Sequence, residues 1–139
     1  MRGTALLLLG AILASCTTSG PAAGDRTPEK AQELATLLAG KTAAPTINCL
    51  PSYNSNDQRI IDGRTVAFRV GSRTTYLMRL SQGCNLLGTG NYALLSRQIG
   101  GVGMCQGDIV RVVDLFNRMT VGSCGIESIT PYSATGSRY

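Results

Sequence analysis

The chain has 139 residues, 13 of them lysine or arginine against eight acidic residues, for a formal net charge of +5, with no histidine and no tryptophan. That length suits one domain and is too short for two. The mild basic excess is not by itself a nucleic-acid signature. The absence of histidine removes Ser–His and Cys–His nucleophile pairs and every histidine-containing metal site.

Residues 1–15 read as a secretory leader. Arg2 supplies a basic start, and Ala5 to Ala14 is an apolar run of about ten residues. Crossing about 30 Å of hydrocarbon needs roughly 20 apolar residues, so the run is too short to span a membrane. Leu13-Ala14-Ser15-Cys16 resembles the lipobox of bacterial lipoprotein signals, in which the leader is cut before the cysteine and that cysteine is acylated. An ordinary signal peptide with a chance cysteine, or an uncleaved core helix, are the alternatives. The full pattern of basic start, short apolar core, small residue and cysteine favours Cys16 as a lipidation site. Thr17 is not the aspartate that resembles an inner-membrane retention signal, so the expected location is the outer membrane, facing the periplasm.

Residues 16–27 are small and polar with Gly and Pro, and read as a flexible tether. Over 28–40 the sequence predicts an amphipathic helix. Thr27 is the N-cap, Pro28 the first helical residue and Gly40 the terminator, with Ala31, Leu34, Ala35, Leu37 and Leu38 at helical spacing. Its apolar stripe is expected to dock on the domain that follows. After "KTAAPT" the period becomes alternating. "TVAFRV" sets Val66, Phe68 and Val70 against Thr65, Ala67 and Arg69; "TYLMRL" sets Tyr76, Met78 and Leu80 against Leu77 and Arg79. The apolar faces coincide only if the loop is odd in length, and Gly71-Ser72-Arg73 meets that condition. Further strands are expected at 58–61, 92–97, 102–105, 109–115 and 121–129. The whole reads as a mainly β domain over 46–132, a small antiparallel barrel or sandwich, with 133–139 as a loose tail.

Beyond Cys16, four cysteines remain: Cys49, Cys84, Cys105 and Cys124. In an exported protein an even set implies two disulfides rather than four free thiols, and four cysteines allow three connectivities. The expected pairing is Cys84–Cys105, bracketing the strand at 92–97, with Cys49–Cys124, stapling the start of the domain to its last strand. Cys105–Cys124 is disfavoured because a hairpin turning near Asn117-Arg118 brings Cys124 opposite a residue near 111.

The carboxylates Asp57, Asp62, Asp108, Asp114 and Glu127 could supply a glycosidase-like pair only if two of them met across a cleft. Asp62-Gly63 reads more simply as a turn, and Asp108 as the start of a strand. The glycines of "IGGVGMCQGD" fit a tight turn better than a phosphate loop, since Gln106 stands where the dinucleotide fingerprint needs glycine. No cofactor, metal or catalytic residue is expected. Arg69, Arg73 and Arg79 share one hairpin and form the candidate binding patch. They read either as a solvated sheet face or as a surface for anionic lipid or an acidic envelope component.

From Arg59 onward, over roughly 47–130, the chain resembles an uncharacterised family of small four-cysteine bacterial lipoproteins. Arg59-Ile60, Asp62, "TVAF", Tyr76, Leu80, Cys84 with Leu86-Leu87, "MCQGDIV" and Cys124 carry the likeness, with Met104 where leucine is expected. The resemblance implies a cysteine-stapled β domain on a lipid anchor and contributes no activity. The expected function is therefore a non-enzymatic binding or structural module of the cell envelope, held to the membrane by its lipid. A lipoprotein inhibitor of a lysozyme-like wall hydrolase is the alternative.

Overall fold

The computed structural model describes residues 26–51, 54, 57–81, 84–97 and 103–136. Cys16, the tether up to residue 25, Val102 and residues 137–139 lie outside them. Thr27 accepts a hydrogen bond from the Lys30 amide on its hydroxyl (3.3 Å), Pro28 opens helix α1 (Pro28–Leu38), and Gly40 follows its end at φ +67°. Lys30, Glu33, Leu34, Leu37 and Leu38 are half-buried at i, i+3, i+4, i+7 and i+8. Ala31 and Ala35, expected in the stripe, face solvent.

The strands are β1 (Lys41–Ala43), β2 (Cys49–Leu50), β3 (Gln58–Asp62), β4 (Thr65–Val70), β5 (Thr74–Leu80), β6 (Tyr92–Leu95), β7 (Met104–Cys105), β8 (Ile109–Asp114) and β9 (Met119–Ala134). Six run in the order β3-β4-β5-β9-β8-β6, with β1 also paired to β9, and this antiparallel sheet curls into a half-barrel. The small pair β2–β7 completes the β structure. The odd-loop argument holds: Phe68 faces Tyr76 and Val66 faces Met78 across the Gly71–Arg73 turn. Gly71 takes φ +61°, a conformation that costs L-residues about 1–2 kcal/mol.

Strand β9 organises the fold. Its later part pairs with β5 and its earlier part with β8, and the inward positions change parity where Leu80 pairs with Ile126 and Arg79 with Ser128. Glu127 is the extra residue of this bulge, so Cys124 and Ile126 point inward before it and Ile129, Pro131 and Ser133 after it. The core gathers Leu50, Val66, Phe68, Met78, Leu80, Leu87, Met104, Val110, Val112, Ile126 and Ile129 around Cys84 and Cys124.

Two expectations are corrected here. Ser133 and Ala134 are not part of a loose tail. They pair with β1 and, as far as Ser133, with β5. The disulfides are Cys49–Cys105 and Cys84–Cys124, not Cys84–Cys105 and Cys49–Cys124. Cys49 and Cys105 are direct cross-strand partners in β2–β7, 3.9 Å apart at Cα. The chain leaving β5 stays beside β9, where the Ser81 amide donates to the Gly125 carbonyl, and this carries Cys84 to Cys124. The β5–β9 contact joins segments more than 40 residues apart, and hairpin reasoning cannot reach it.

Candidate functional site: the outer face of the sheet

The polar face of β4–β5 is occupied rather than open. Thr65, Ala67 and Thr75 on that face are buried, and α1, packed against β3, reaches Thr75 with its last turn. Thr75 donates to the Leu37 carbonyl at the helix end (3.2 Å), and Lys41 donates to both groups, at 2.7 Å to Leu37 and 2.8 Å to Thr75. Burial, and then the nearby charge of Arg69, lower the Lys41 pKa. At the helix start, Arg26 donates to Asp62 through Nε (2.9 Å) and Nη2 (2.6 Å) and to Thr65. The Asp62 side chain is 0% exposed. Arg26, assigned by sequence to the tether, is thus fixed to the sheet. The Asp62-Gly63 turn forms as expected and packs tightly: a Cβ on Gly63 would lie 3.0 Å from the backbone of Asn85.

The three arginines of the expected patch are on this face or at its turn, but the fold does not bring them together. Arg69 pairs opposite Thr75, four residues and about 13 Å along β5 from Arg79. Arg69 also binds Asp57 at 2.7 Å, and Asp57 binds Arg59 at 3.0 Å. The Arg69 hydrogen bond, helped by the charge of Arg59, holds the Asp57 carboxyl below its ordinary range. Arg73 is exposed at the turn and Arg79 is half-buried. With α1 between the two ends, the hairpin presents separated cations, one of them already paired.

The outer face of β6–β8 and the β8–β9 turn differ. Leu95 pairs across from Arg111, and Ile109 precedes Arg111 by two residues on the same side. With Arg97 these residues line a shallow depression of about 100 Å³. At the four-residue turn, Leu115 is 59%, Phe116 85% and Met119 64% exposed. Arg118 adopts φ +56°, and no other described residue except glycine has positive φ. Asp114 accepts from Phe116 N, Asn117 N and Asn117 Nδ2, and the Asn117 contacts foremost lower its pKa. Among the described residues, Arg97, Arg111 and Arg118 have no carboxylate partner. The sequence reading passed over this surface, although "DLFNRMT" sets three large apolar residues in and beside a turn, where polar residues are the rule.

The remaining carboxylates hold the fold. Glu127 receives Arg64 at 3.2 Å, and Asp108 accepts from the Cys105 amide at 2.7 Å. Gln106 donates its amide to the Asn48 carbonyl and its side chain to the Glu127 carbonyl, while Gly107 donates to Ile126. The stretch "MCQGD" is therefore the junction joining β2, β7, β8 and the bulge of β9.

The profile of a family of unknown function, DUF6491, matches residues 2–138. The chain belongs to that family. No curated protein and no solved structure matches it. As a DUF6491 member it brings no assigned activity, and the chemistry of its surfaces is the basis for a functional reading.

Proposed function

We propose that this DUF6491 chain is a bacterial lipoprotein, anchored through an acylated Cys16 to the periplasmic side of the outer membrane, where it acts as a non-enzymatic binding or structural module. The observation that carries the reading is the cysteine pairing. Cys49–Cys105 and Cys84–Cys124 consume the four cysteines of the domain, leaving Cys16 as the single remaining one, at the end of the lipobox-like leader. Disulfides persist in exported proteins and are rare in reducing cytosol. One acyl chain holds a protein only marginally at a bilayer, whereas two or more anchor it stably.

The test is incorporation of radiolabelled palmitate into the full chain. Wild type is expected to label and fractionate with the outer membrane, while Cys16→Ser does neither. Equal labelling of the two proteins rejects the anchor. Crosslinking in intact envelope then addresses the binding role, and recovery of a single wall hydrolase would favour the inhibitor reading instead.

A further inference from the structure

We propose that the β8–β9 turn is a membrane-contact element. Leu115, Phe116 and Met119 enter the interfacial layer of an anionic bilayer, while Arg118 in the turn and Arg111, about 13 Å along β8 from Leu115, lie against its headgroup phosphates. The inference deepens the lipoprotein reading and rests on it for the orientation of the domain.

Three observations converge on the turn. The first is composition: a tip with a largely exposed phenylalanine between two other exposed apolar side chains has an apolar end, with Arg118 in the turn itself and Arg111 farther along β8. Amphipathic elements that lie in a bilayer interface combine the same two features. The second is charge: Asp114, the single carboxylate of the turn, stays ionised on neutral amide donors, and Arg111 and Arg118 outnumber it to leave a net positive charge. An anionic surface complements that charge. The third is Arg118 itself. Its left-handed backbone would suit glycine or asparagine better, yet an arginine stands there.

The reach of the chain agrees. Arg26 is held at Asp62 and Thr65, and Thr65, Arg79 and Ser128 are neighbours across the sheet. From Ser128 back to Met119 is nine residues of β9, at most about 30 Å. From Arg26 back to Cys16 is ten residues, at most about 35 Å. A lipid on Cys16 can therefore lie in the plane the turn would touch.

Among the described residues, all strands, the core and both disulfides lie between Arg26 and Gly136. The chain from Thr17 to Tyr139 thus carries the folded unit and can be studied without acylation. Because the protein has no tryptophan, Phe116→Trp is a unique reporter, with Ser72→Trp at the opposite β4–β5 turn as control. With equimolar phosphatidylcholine and phosphatidylglycerol vesicles, Phe116→Trp emission should shift to the blue and be quenched by brominated acyl chains. Ser72→Trp should not respond, and neither reporter should respond to phosphatidylcholine alone. Arg111→Ser with Arg118→Asn should weaken binding about 30-fold at low salt, on the scale of one anionic-surface contact per arginine. Phe116→Ser with Met119→Ser should weaken it about tenfold or more, on the scale of half-burying two large apolar side chains. Each variant's thermal melt checks its fold. An inert Phe116→Trp, an equal response at Ser72→Trp, or undiminished binding by folded tip variants overturns the proposal; an inert tip points to a protein partner. Cys16 is absent from these proteins, so failed palmitate labelling and a failed vesicle experiment remain separate results.

Discussion

The outer face of the sheet has two halves built from similar strands. Over β4–β5 Thr65, Ala67 and Thr75 are buried, the end of α1 is bonded to Thr75, Arg26 is tied to Asp62, and Arg69 shares Asp57 with Arg59. Over β6–β8, among the described residues, no helix lies on the surface and apolar side chains stand beside arginines without carboxylate partners. Their turns differ in the same sense. The covered hairpin places glycine at its left-handed position, and the bare hairpin places arginine there. The contrast shows that a row of arginines on a strand is not in itself a binding surface. What covers the face, and which carboxylate is near, decide whether the charge is available.

The sharpest way to break this contrast is to truncate a phenylalanine in each hairpin. Phe68 is fully buried, so Phe68→Ala should cost about 3–5 kcal/mol by denaturant unfolding, whereas Phe116→Ala should stay within about 0.5 kcal/mol. A large loss at Phe116 would mean that the turn packs in solution. Next in size is Arg26→Ala, which leaves Asp62 buried with the Arg64 amide as a remaining donor. We expect a loss of about 2–3 kcal/mol, less than for a fully buried pair because Arg26 is partly exposed. Arg26→Ala with Asp62→Asn should recover part of it; no recovery in a double-mutant cycle would show that the pair is not coupled.

The two turns should then respond in opposite directions to mirrored substitutions. A Cβ on Gly71 would touch nothing within 4 Å, so Gly71→Ala should cost only the backbone term, about 1 kcal/mol. Arg118→Gly should gain a similar amount, raising the melting temperature while weakening vesicle binding. Smallest is the acid dependence. Asp57 and Asp114 both have lowered folded pKa values, so their contributions are present above the unfolded aspartate value of about 3.9 and are lost as pH falls through the folded values. Asp57→Asn and Asp114→Asn should each flatten the loss of melting temperature below about pH 4. An unchanged slope in both would assign the acid sensitivity elsewhere.

Local chemistry determined much of this protein in the sequence itself. Thr27, Pro28 and Gly40 delimit α1 because capping and left-handed termination are decided within one turn. The odd loop Gly71–Arg73 sets the β4–β5 register because alternation has period two. The arginine positions on that hairpin followed correctly from the same rule. What only the tertiary structure decided is everything that depends on segments distant in sequence. The bulge at Glu127 shifts the inward parity of β9, so no single alternation runs through 119–134. Pairing of β5 with β9 set the Cys84–Cys124 bond, and pairing of β2 with β7 set Cys49–Cys105. The docking of α1 covered one half of the outer face, whereas on the other half Leu95, Ile109 and Arg111 are exposed among the described residues. A residue's own neighbours specify its backbone and its face, but its partner across the sheet and its cover above are chosen by the packing of the whole chain.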